Sequence, residues 1–319
     1  MDGIEKEISN LAELSSAMEP SADQVRSMYD ALTRNSSKFL AQLSELEVFS
    51  DNKEISLDLQ QETDAQVAIS QVFEEFKKSG LQAASQGHLA YIPGGGLTIG
   101  AIADAMASTI NQFSADSNAS PAAAKINDQT IRWLCDAMGY ASDAYGDITS
   151  GGSIATLTAI TVAKKHHNID IHNQLNSCIY MSEHTHHCIN KAIAIVFGEH
   201  IDIRYIKLDD NLKLDISDLE NKIKEDVKSG RNPFMIIANA GTTNLGKVDS
   251  LDEIADLSKE HGIWMHVDGA YGGFFKIADK TSHLFAGIER ADSIVLDPHK
   301  TMFLPYGSGA VLLDRKSVV

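Results

Sequence analysis

Short apolar runs that alternate with helical segments constrain the fold of this chain more than any other feature. From about residue 130 most of these runs are almost continuously apolar, as expected for strands that are covered on both faces. Strands alternating with helices predict an α/β fold, a mostly parallel sheet flanked by crossover helices. The predicted strands are Ser177–Met181, Ile201–Leu208, Phe234–Ala240, Ile263–Val267, Ser293–Leu296 and Ala310–Leu313.

Helix signals lie between the predicted strands. The S-x-x-E patterns of Ser217–Glu220 and Ser250–Glu253 predict two capping boxes, and Gly262 predicts the end of the second helix. The glycine-rich stretch Tyr91–Gly100 predicts a connector that is not helical.

The N-terminal part of the chain has almost no strand signal. Within it, Thr63–Lys78 places apolar residues at near-helical spacing with charged residues between them. We therefore predict an N-terminal helical segment over residues 1–85 and one large α/β domain over residues 86–319.

Charge and composition exclude several classes of function. The formal net charge is −17, which gives no electrostatic footprint for nucleic acid or for an anionic membrane surface. No apolar run approaches the ~18–20 residues that span a bilayer, and the first residues lack the features of a secretory signal. The three cysteines have no paired spacing, which fits a reducing compartment. We expect a cytoplasmic enzyme with a small-molecule substrate.

A lysine follows one of the predicted strands directly. In open α/β sheets ligands bind at the carboxyl ends of the strands, so residues at these positions are candidates for a site. SIVLDPHK ends in Lys300, and the apolar segment that follows favours a position between buried elements. A lone lysine after a strand is more often a solvated loop charge, whereas a desolvated lysine can act as a neutral amine nucleophile and form a Schiff base.

A carboxylate ends another predicted strand, IWMHVDGAYGG. Asp268 is followed by small residues that leave space above it. Such a carboxylate can simply cap the next turn. Alternatively, it can pair with a cationic ring nitrogen, as pyridoxal phosphate (PLP) requires when it acts as an electron sink.

A possible anion site lies in GDITSGGSIAT. Gly151, Gly152 and Ser153 are predicted to begin a helix, whose free N–H groups and dipole suit a phosphate. A plain glycine turn with a serine cap explains the same residues. The pattern is not that of a nucleotide P-loop.

Histidines and small hydroxyl residues follow two more strands. His184, His186, His187 and Cys188 lie close together in YMSEHTHHC, but no second cluster has metal-ligand spacing, so we predict no metal site. These histidines could cap a helix or lie exposed, or one imidazole could stack on a planar cofactor ring. NAGTTN, at residues 239–244, could bind a ligand or merely turn the chain.

Together these segments resemble the group II PLP-dependent amino-acid decarboxylases, which act on aromatic amino acids, glutamate, histidine and diaminobutyrate. HVDGAYGG and DPHK resemble the cofactor-aspartate and Schiff-base segments of that family, and GDITSGGSIATLTA resembles its phosphate loop. YMSEHTHHCINKA resembles the segment of the ring-stacking histidine, and AGTTNLGKVD the turn between them. HLAYIPGGGL and IRWLCDAMGY are also similar to family segments. The resemblance extends from about residue 85 to the end of the sequence.

The resemblance implies a fold of the aspartate-aminotransferase type (fold type I) and a role for each matching residue. Lys300 would hold PLP as a Schiff base, Asp268 would pair with the pyridine nitrogen, and His186 and Ala270 would cover the two ring faces. Gly152, Ser153 and His299 would contact the phosphate region, and Thr243 would lie near a cofactor oxygen. The implied cofactor-binding residues are Gly152, Ser153, His186, Thr243, Asp268, Ala270, Asp297, His299 and Lys300, of which Lys300, His186 and Asp268 are also the implied catalytic residues.

The implied activity is a carboxy-lyase reaction, decarboxylation of an L-amino acid to its amine and CO₂ by a homodimer. We expect the substrate pocket around His88–Gly96 and from the partner subunit, with a preference for an uncharged or aromatic amino acid. The resemblance also implies a mobile loop and a small C-terminal domain after the last strand, which we expect to be absent from this chain. Two alternatives stay open: a truncated PLP-binding remnant with weak activity, and a PLP lyase or aldolase of the same fold.

Overall fold

The computed structural model describes residues 2–16, 20–51, 63–88, 92, 95–114, 116–198 and 200–315. The chain is divided into two structural units, Met1–Ala90 and Tyr91–Val319. The predicted assignment of residues 1–85 to a helical segment and of residues 86–319 to a cofactor domain stays a prediction.

Helices dominate the N-terminal unit, in which α2 and α3 pack against each other. The rings of Phe39 and Phe73 lie 6.4 Å apart, and Asn35 Nδ2 donates to Ser70 Oγ at 3.1 Å. The helix predicted near Thr63–Lys78 is confirmed as α3. The described elements of this unit are α1 (Asp2–Ser16), α2 (Ala22–Ala41), α3 (Ala65–Lys78), β1 (Phe49–Ser50) and β2 (Gly80–Leu81).

A mixed sheet forms the centre of the second unit. Its strand order in the described residues is β3-β9-β8-β7-β6-β4-β5. The strands from β8 to β5 are parallel, whereas β9 runs antiparallel to both of its neighbours, β3 and β8. The strands are β3 (Tyr145–Thr149), β4 (Ser177–Ser182), β5 (Asp202–Ile206), β6 (Asn232–Asn239), β7 (Trp264–Asp268), β8 (Ser293–Leu296) and β9 (Gly309–Leu313).

Helices cover both faces of this sheet, so the predicted α/β architecture is confirmed. Alternate residues of β6 point to opposite faces: Met235 and Ile237 pack in the core formed with α6 and α7, whereas Ile236 packs in the core formed with α5, α8 and α9. No helix in the described ranges is both long and apolar enough to cross a membrane. The helices are α4 (Thr98–Ile110), α5 (Pro121–Met138), α6 (Gly152–His166), α7 (His187–Phe197), α8 (Ile216–Lys228), α9 (Leu251–His261) and α10 (Pro298–Thr301).

All six predicted strands are present, but β3 was not predicted. Sequence analysis interpreted GDITSGGSIAT as a glycine turn that leads into a helix, whereas Tyr145–Thr149 pairs with β9 along its whole length. As an edge strand β3 is only partly covered, so its sequence lacks the apolar run that marks the inner strands.

Of three local helix predictions, two are corrected and one is confirmed. The capping box at Ser217 is wrong, because α8 begins earlier and its cap is Asp215, whose carboxylate accepts the N–H groups of Ser217 and Asp218. Ser250 is the cap of α9 but makes no side-chain capping bond, and Gly262 ends α9 in the left-handed conformation as predicted.

The predicted non-helical connector ends earlier than expected. Helix α4 begins at Thr98 and therefore includes Gly100. A side chain at Gly100 would place its Cβ 2.6 Å from Cδ of Pro305, so this glycine allows α4 to approach the loop that follows Lys300.

Candidate active site

A cavity of about 350 Å³ lies at the carboxyl ends of β4, β6, β7 and β8, where the sequence predicted a site. Its volume is within the ~300–1,000 Å³ of typical small-molecule sites. All nine residues predicted to bind a cofactor line it: Gly152, Ser153, His186, Thr243, Asp268, Ala270, Asp297, His299 and Lys300.

Lys300 reaches this cavity from the one-turn helix α10, directly after β8. Its Nζ lies 2.9 Å from Oδ2 of Asp297, and the side chain of Asp297 is almost fully buried. The other carboxylate oxygen of Asp297, Oδ1, is buried without a hydrogen-bond partner in the described residues. His299 is held by a bond between Nδ1 and the carbonyl oxygen of Ser308. The lysine is therefore fixed beside a carboxylate that retains free acceptor capacity.

Asp268 ends β7 and faces the same cavity. Its Oδ1 accepts the N–H of Ala270 at 3.1 Å. Burial raises the pKa of Asp268, while the Ala270 N–H and the charge of Lys300 lower it. The site therefore contains a carboxylate that a nearby cation would stabilise in its ionised form.

The N-terminus of α6 forms another wall. Gly151 adopts a φ of +145°, a conformation that glycine tolerates and that turns the chain from β3 into α6. The first-turn N–H groups of a helix have no partner within the helix, so those of Gly152 and Ser153 suit an anion in the cavity. The close approach of Asp297 depends on the missing side chain of Gly152, whose Cβ would lie 2.7 Å from Asp297 Oδ2.

His186 is the N-cap residue of α7. Its Nδ1 accepts the N–H of Cys188 at 3.3 Å, and its ring lies 4.1 Å from that of His187. Burial lowers the pKa of His186, and the neighbouring His187 and Lys300 lower it further. His186 is therefore favoured as a neutral imidazole at the cavity wall.

Several lining residues were given no role by sequence analysis. Thr156, Cys188, Asn239, Thr242 and Tyr271 also face the cavity. All five lie inside motifs that the sequence singled out, but which side chains of a motif face the cavity depends on strand and helix geometry. No group of His, Cys, Asp or Glu side chains within the described ranges is arranged to hold a metal ion.

Part of the predicted substrate pocket lies outside the described residues. This applies to Tyr91, the aromatic residue of the segment His88–Gly96, and to its neighbours at positions 89, 90, 93 and 94. His88 itself is described, and neither ring nitrogen has a hydrogen-bond partner in the described residues.

Comparison with solved structures defines the fold class. The glutamate decarboxylase domain of a diaminobutyrate-pyruvate transaminase and L-2,4-diaminobutyrate decarboxylase from Vibrio parahaemolyticus has a TM-score of 0.83 at 25% identity, over 92% of this chain and 67% of that one. Oryza sativa TDC with PLP and tryptamine has a TM-score of 0.84 at 22% identity, over 93% of this chain and 65% of that one. The fold is that of the fold type I PLP enzymes.

Sequence comparison identifies the family. A profile of the pyridoxal-dependent decarboxylase conserved domain matches residues 50–319, and the chain belongs to this family. An aromatic-L-amino-acid decarboxylase from Bacillus atrophaeus is 43% identical over 226 residues, which are 70% of this chain and 46% of that protein. An L-2,4-diaminobutyrate decarboxylase from Rhizobium meliloti (strain 1021) is 34% identical over 214 residues, 67% of this chain and 43% of that protein. The chain thus spans less than half the length of these two relatives.

The residues of the cavity fit the cofactor of this family. A phosphate suits the N-terminus of α6, a protonated ring nitrogen would add a positive charge beside Asp268, and an aldehyde can react with the amine of Lys300. Small residues around Asp268, among them Gly241 and Ala270, leave room for a flat ring.

Proposed function

We propose that this chain forms the cofactor-binding part of a PLP-dependent decarboxylase of L-amino acids. The observation that carries the proposal is that Lys300, Asp268 and the N-terminus of α6 line one cavity. These groups match the aldehyde, the ring nitrogen and the phosphate of PLP. When bound, PLP supplies an electron sink for the electron pair that remains after CO₂ leaves the substrate.

Lys300 and Asp268 have the central roles in this proposal. Lys300 binds the cofactor covalently through Nζ, and Asp268 holds a proton on the ring nitrogen by pairing with it. Asp268 is half-buried at the end of β7, so its interaction with a cation in the cavity is screened less than at the protein surface.

The remaining residues bind and orient the cofactor. The backbone N–H groups of Gly152 and Ser153 hold the phosphate, His299 contacts the phosphate region, and Thr243 lies near a cofactor oxygen. Asp297 orients Lys300 through their ion pair, and its Oδ1, which has no hydrogen-bond partner among the described residues, can accept a hydrogen bond in the cavity.

We assign the two ring faces to His186 and Ala270. A neutral imidazole, which the lowered pKa of His186 favours, can stack on a cationic ring without charge repulsion. The side chain of Ala270 is small, so the opposite face of the ring can lie close to the protein backbone.

We further propose that the protein is a cytoplasmic homodimer. Helix α4 supports a dimer, because Ile99, Ile102, Met106 and Ile110 form one apolar stripe on it and are each 57–67% exposed in the single chain. Three free, buried cysteines support a reducing compartment. Sedimentation of the wild type and of Met106→Glu tests the dimer: the variant should be monomeric, and an unchanged sedimentation coefficient would contradict this face as the interface.

The substrate proposed is an uncharged or aromatic L-amino acid. The 43% identity to the aromatic-L-amino-acid decarboxylase supports this class, as does the absence of a cationic residue in the sequence GHLAYIPGGGL apart from a histidine. Release of CO₂ from a panel of aromatic, aliphatic and acidic amino acids is the direct test, and a preference for glutamate would overturn this choice.

Borohydride trapping tests the cofactor site itself. The purified protein is mixed with PLP, its visible spectrum is recorded, and the adduct is reduced and mapped by mass spectrometry. We expect a shifted absorption band and a label on Lys300 in the wild type and in Lys228→Ala, a control that removes an exposed lysine of α8. The shifted band and the label at position 300 should be lost in Lys300→Ala. Identical spectra for the wild type and Lys300→Ala would contradict the proposal.

A further inference from the structure

A buried carboxylate lies behind the cavity wall and does not line the cavity. Oδ1 of Asp249 accepts the N–H of Leu214 at 2.9 Å, and Oδ2 accepts both the backbone N–H and the side-chain Nδ2 of Asn239, at 2.7 and 3.1 Å. Asp249 is only 3% exposed, and burial raises its pKa although these N–H donors lower it. A buried carboxylate requires hydrogen-bond donors, so these three bonds hold the donating groups in fixed positions.

The group that Asp249 orients is the amide of Asn239, which does line the cavity. The same Nδ2 lies 3.4 Å from both Ser182 Oγ and Thr185 Oγ1, so these two hydroxyl oxygens share its second hydrogen. Thr185 directly precedes His186. Asn239 therefore connects the end of β6 to the turn that carries the candidate ring-stacking histidine.

Asn239 is also adjacent to Asp268, on the other side of the cofactor site from His186. It is the register partner of Asp268 in the β6–β7 pair, and the N–H of the next residue, Ala240, donates to the carbonyl oxygen of Asp268 at 2.8 Å. One side chain thus lies between the strand that presents Asp268 and the turn that presents His186.

A carboxylate fixes the direction of this amide because it can only accept hydrogen bonds. An asparagine amide has a donor end and an acceptor end that are nearly identical in shape. Asp249 admits only the orientation in which Nδ2 faces it, and in this orientation Nδ2 also reaches Ser182 and Thr185. An amide at position 249 could accept or donate, so both orientations of Asn239 would become accessible.

We propose that Asp249 is a positioning residue that, through Asn239, holds the turn Ser182–His186 and so sets the position of His186 relative to Asp268. This role rests on the proposed function of His186 and Asp268 in binding the cofactor ring. Asp249 itself touches neither the cavity nor the groups that would react.

The test is hydrogen exchange of the cofactor-free protein, followed by the circular dichroism of bound PLP. In Asp249→Asn we expect exchange in peptides covering residues 183–188 to rise about tenfold, the effect of losing one buried hydrogen-bond partner. We also expect PLP affinity to fall about tenfold and the visible dichroism of the bound cofactor to change, because a reoriented ring alters that signal.

Asp226→Asn is the matched control. Asp226 is also a buried carboxylate connected to β4, through Tyr180 Oη at 2.8 Å, but it does not line the cavity or contact the turn at Thr185. Its variant should lower stability without the local exchange or the dichroism change. Thr185→Val, which keeps the shape but removes the hydroxyl acceptor, should reproduce the local exchange if Asp249→Asn does not fold.

Two outcomes would overturn the inference. The first is an exchange rate at residues 183–188 that equals the wild-type rate in the folded Asp249→Asn variant or, where that variant does not fold, in Thr185→Val. The second is an increase of the exchange rate at these residues in Asp226→Asn that is as large as in Asp249→Asn. The exchange measurement needs no cofactor, so it judges Asp249 even if the wild type fails to attach PLP. That failure alone would contradict the proposed function.

Discussion

Nζ of Lys300 lies 2.9 Å from Oδ2 of Asp297, three residues earlier in the chain. This ion pair is formed across a single turn, since Asp297 is the N-cap residue of α10 and Lys300 lies within that helix. The same carboxylate packs against the first residue of α6, so the lysine and the anion site share one buried neighbour.

Replacing Gly152 with alanine tests this packing. The new Cβ would lie 2.7 Å from Asp297 Oδ2 and would push the carboxylate away from Lys300. We expect the free energy of unfolding of the cofactor-free protein to fall by about 1–3 kcal/mol, measured by urea denaturation. Gly3→Ala is the control, because it also lies near a helix start but its Cβ would meet nothing within 4 Å. Equal stability of Gly152→Ala and the wild type would contradict the expectation.

Acid sensitivity should depend on His266, which is fully buried in β7. Its Nδ1 lies 2.8 Å from Ser293 Oγ, and burial lowers its pKa to about 3. The unfolded chain, with a histidine pKa of about 6.5, binds a proton that the folded protein does not, so stability is lost as the pH falls below about 6.5.

The measurement is the free energy of unfolding at pH 7 and pH 5. Over this range the wild type should lose about 2 kcal/mol more than His266→Gln. His283→Gln, which replaces an exposed histidine, should follow the wild type. Parallel pH profiles for the wild type and His266→Gln would exclude this role of His266.

The cysteines should react slowly in the folded protein. Burial raises the pKa values of Cys135, Cys178 and Cys188 to about 11, so only about one thiol in a thousand is ionised at pH 8. We expect iodoacetamide to label each of them about a hundredfold more slowly than in the urea-unfolded chain, as followed by mass spectrometry. A cysteine labelled equally fast in both states would show that its surroundings are open to water.

The ion pair of Asp226 should stabilise the protein except in strong acid. Burial alone would raise the pKa of Asp226, but hydrogen bonds from Arg204 and Tyr180 outweigh it and the pKa is lowered. A carboxyl with a lowered pKa contributes its stability above the unfolded pKa of about 3.9 and loses it as the pH falls through the lower folded value.

Asp226→Asn should therefore cost about 2 kcal/mol at pH 7, and the difference from the wild type should shrink below about pH 4. Glu74→Gln, which breaks the exposed pair with Lys38, should cost less than about 1 kcal/mol. A difference for Asp226→Asn that is constant between pH 7 and pH 3 would contradict the ionic role.

The sheet could be predicted because its inner strands are buried on both faces. β8 was predicted with its observed bounds, since Ser293–Leu296 has no exposed position. β3 could not be predicted in this way, because its pairing with β9 depends on residues that are distant in sequence and leaves Asp147 and Ile148 exposed.

The location of the cavity could be predicted because the carboxyl ends of parallel strands meet at one edge of the sheet. Asp268 ends β7 and Lys300 comes shortly after the neighbouring strand β8, so their proximity was implied by the sheet. The contribution of Asn239 and Asp249 was not, because it depends on which way an amide faces, and a sequence pattern carries no information on that orientation. The cap of α8 could not be predicted for a similar reason. Both Asp215 and Ser217 are residue types that can cap a helix, and the backbone conformation decides which of them does so.

The position of β9 has a consequence for the order in which the protein can assemble during synthesis. β9 follows every other strand of the sheet in the described chain, yet it lies between β3 and β8. Until β9 leaves the ribosome, Thr149 lacks its partner Gly309. The cavity wall formed by α6 is then not joined through the sheet to the wall that carries Lys300. A nascent chain can therefore fold the block from β4 to β8 early, but it acquires a complete binding cavity only when this last strand inserts.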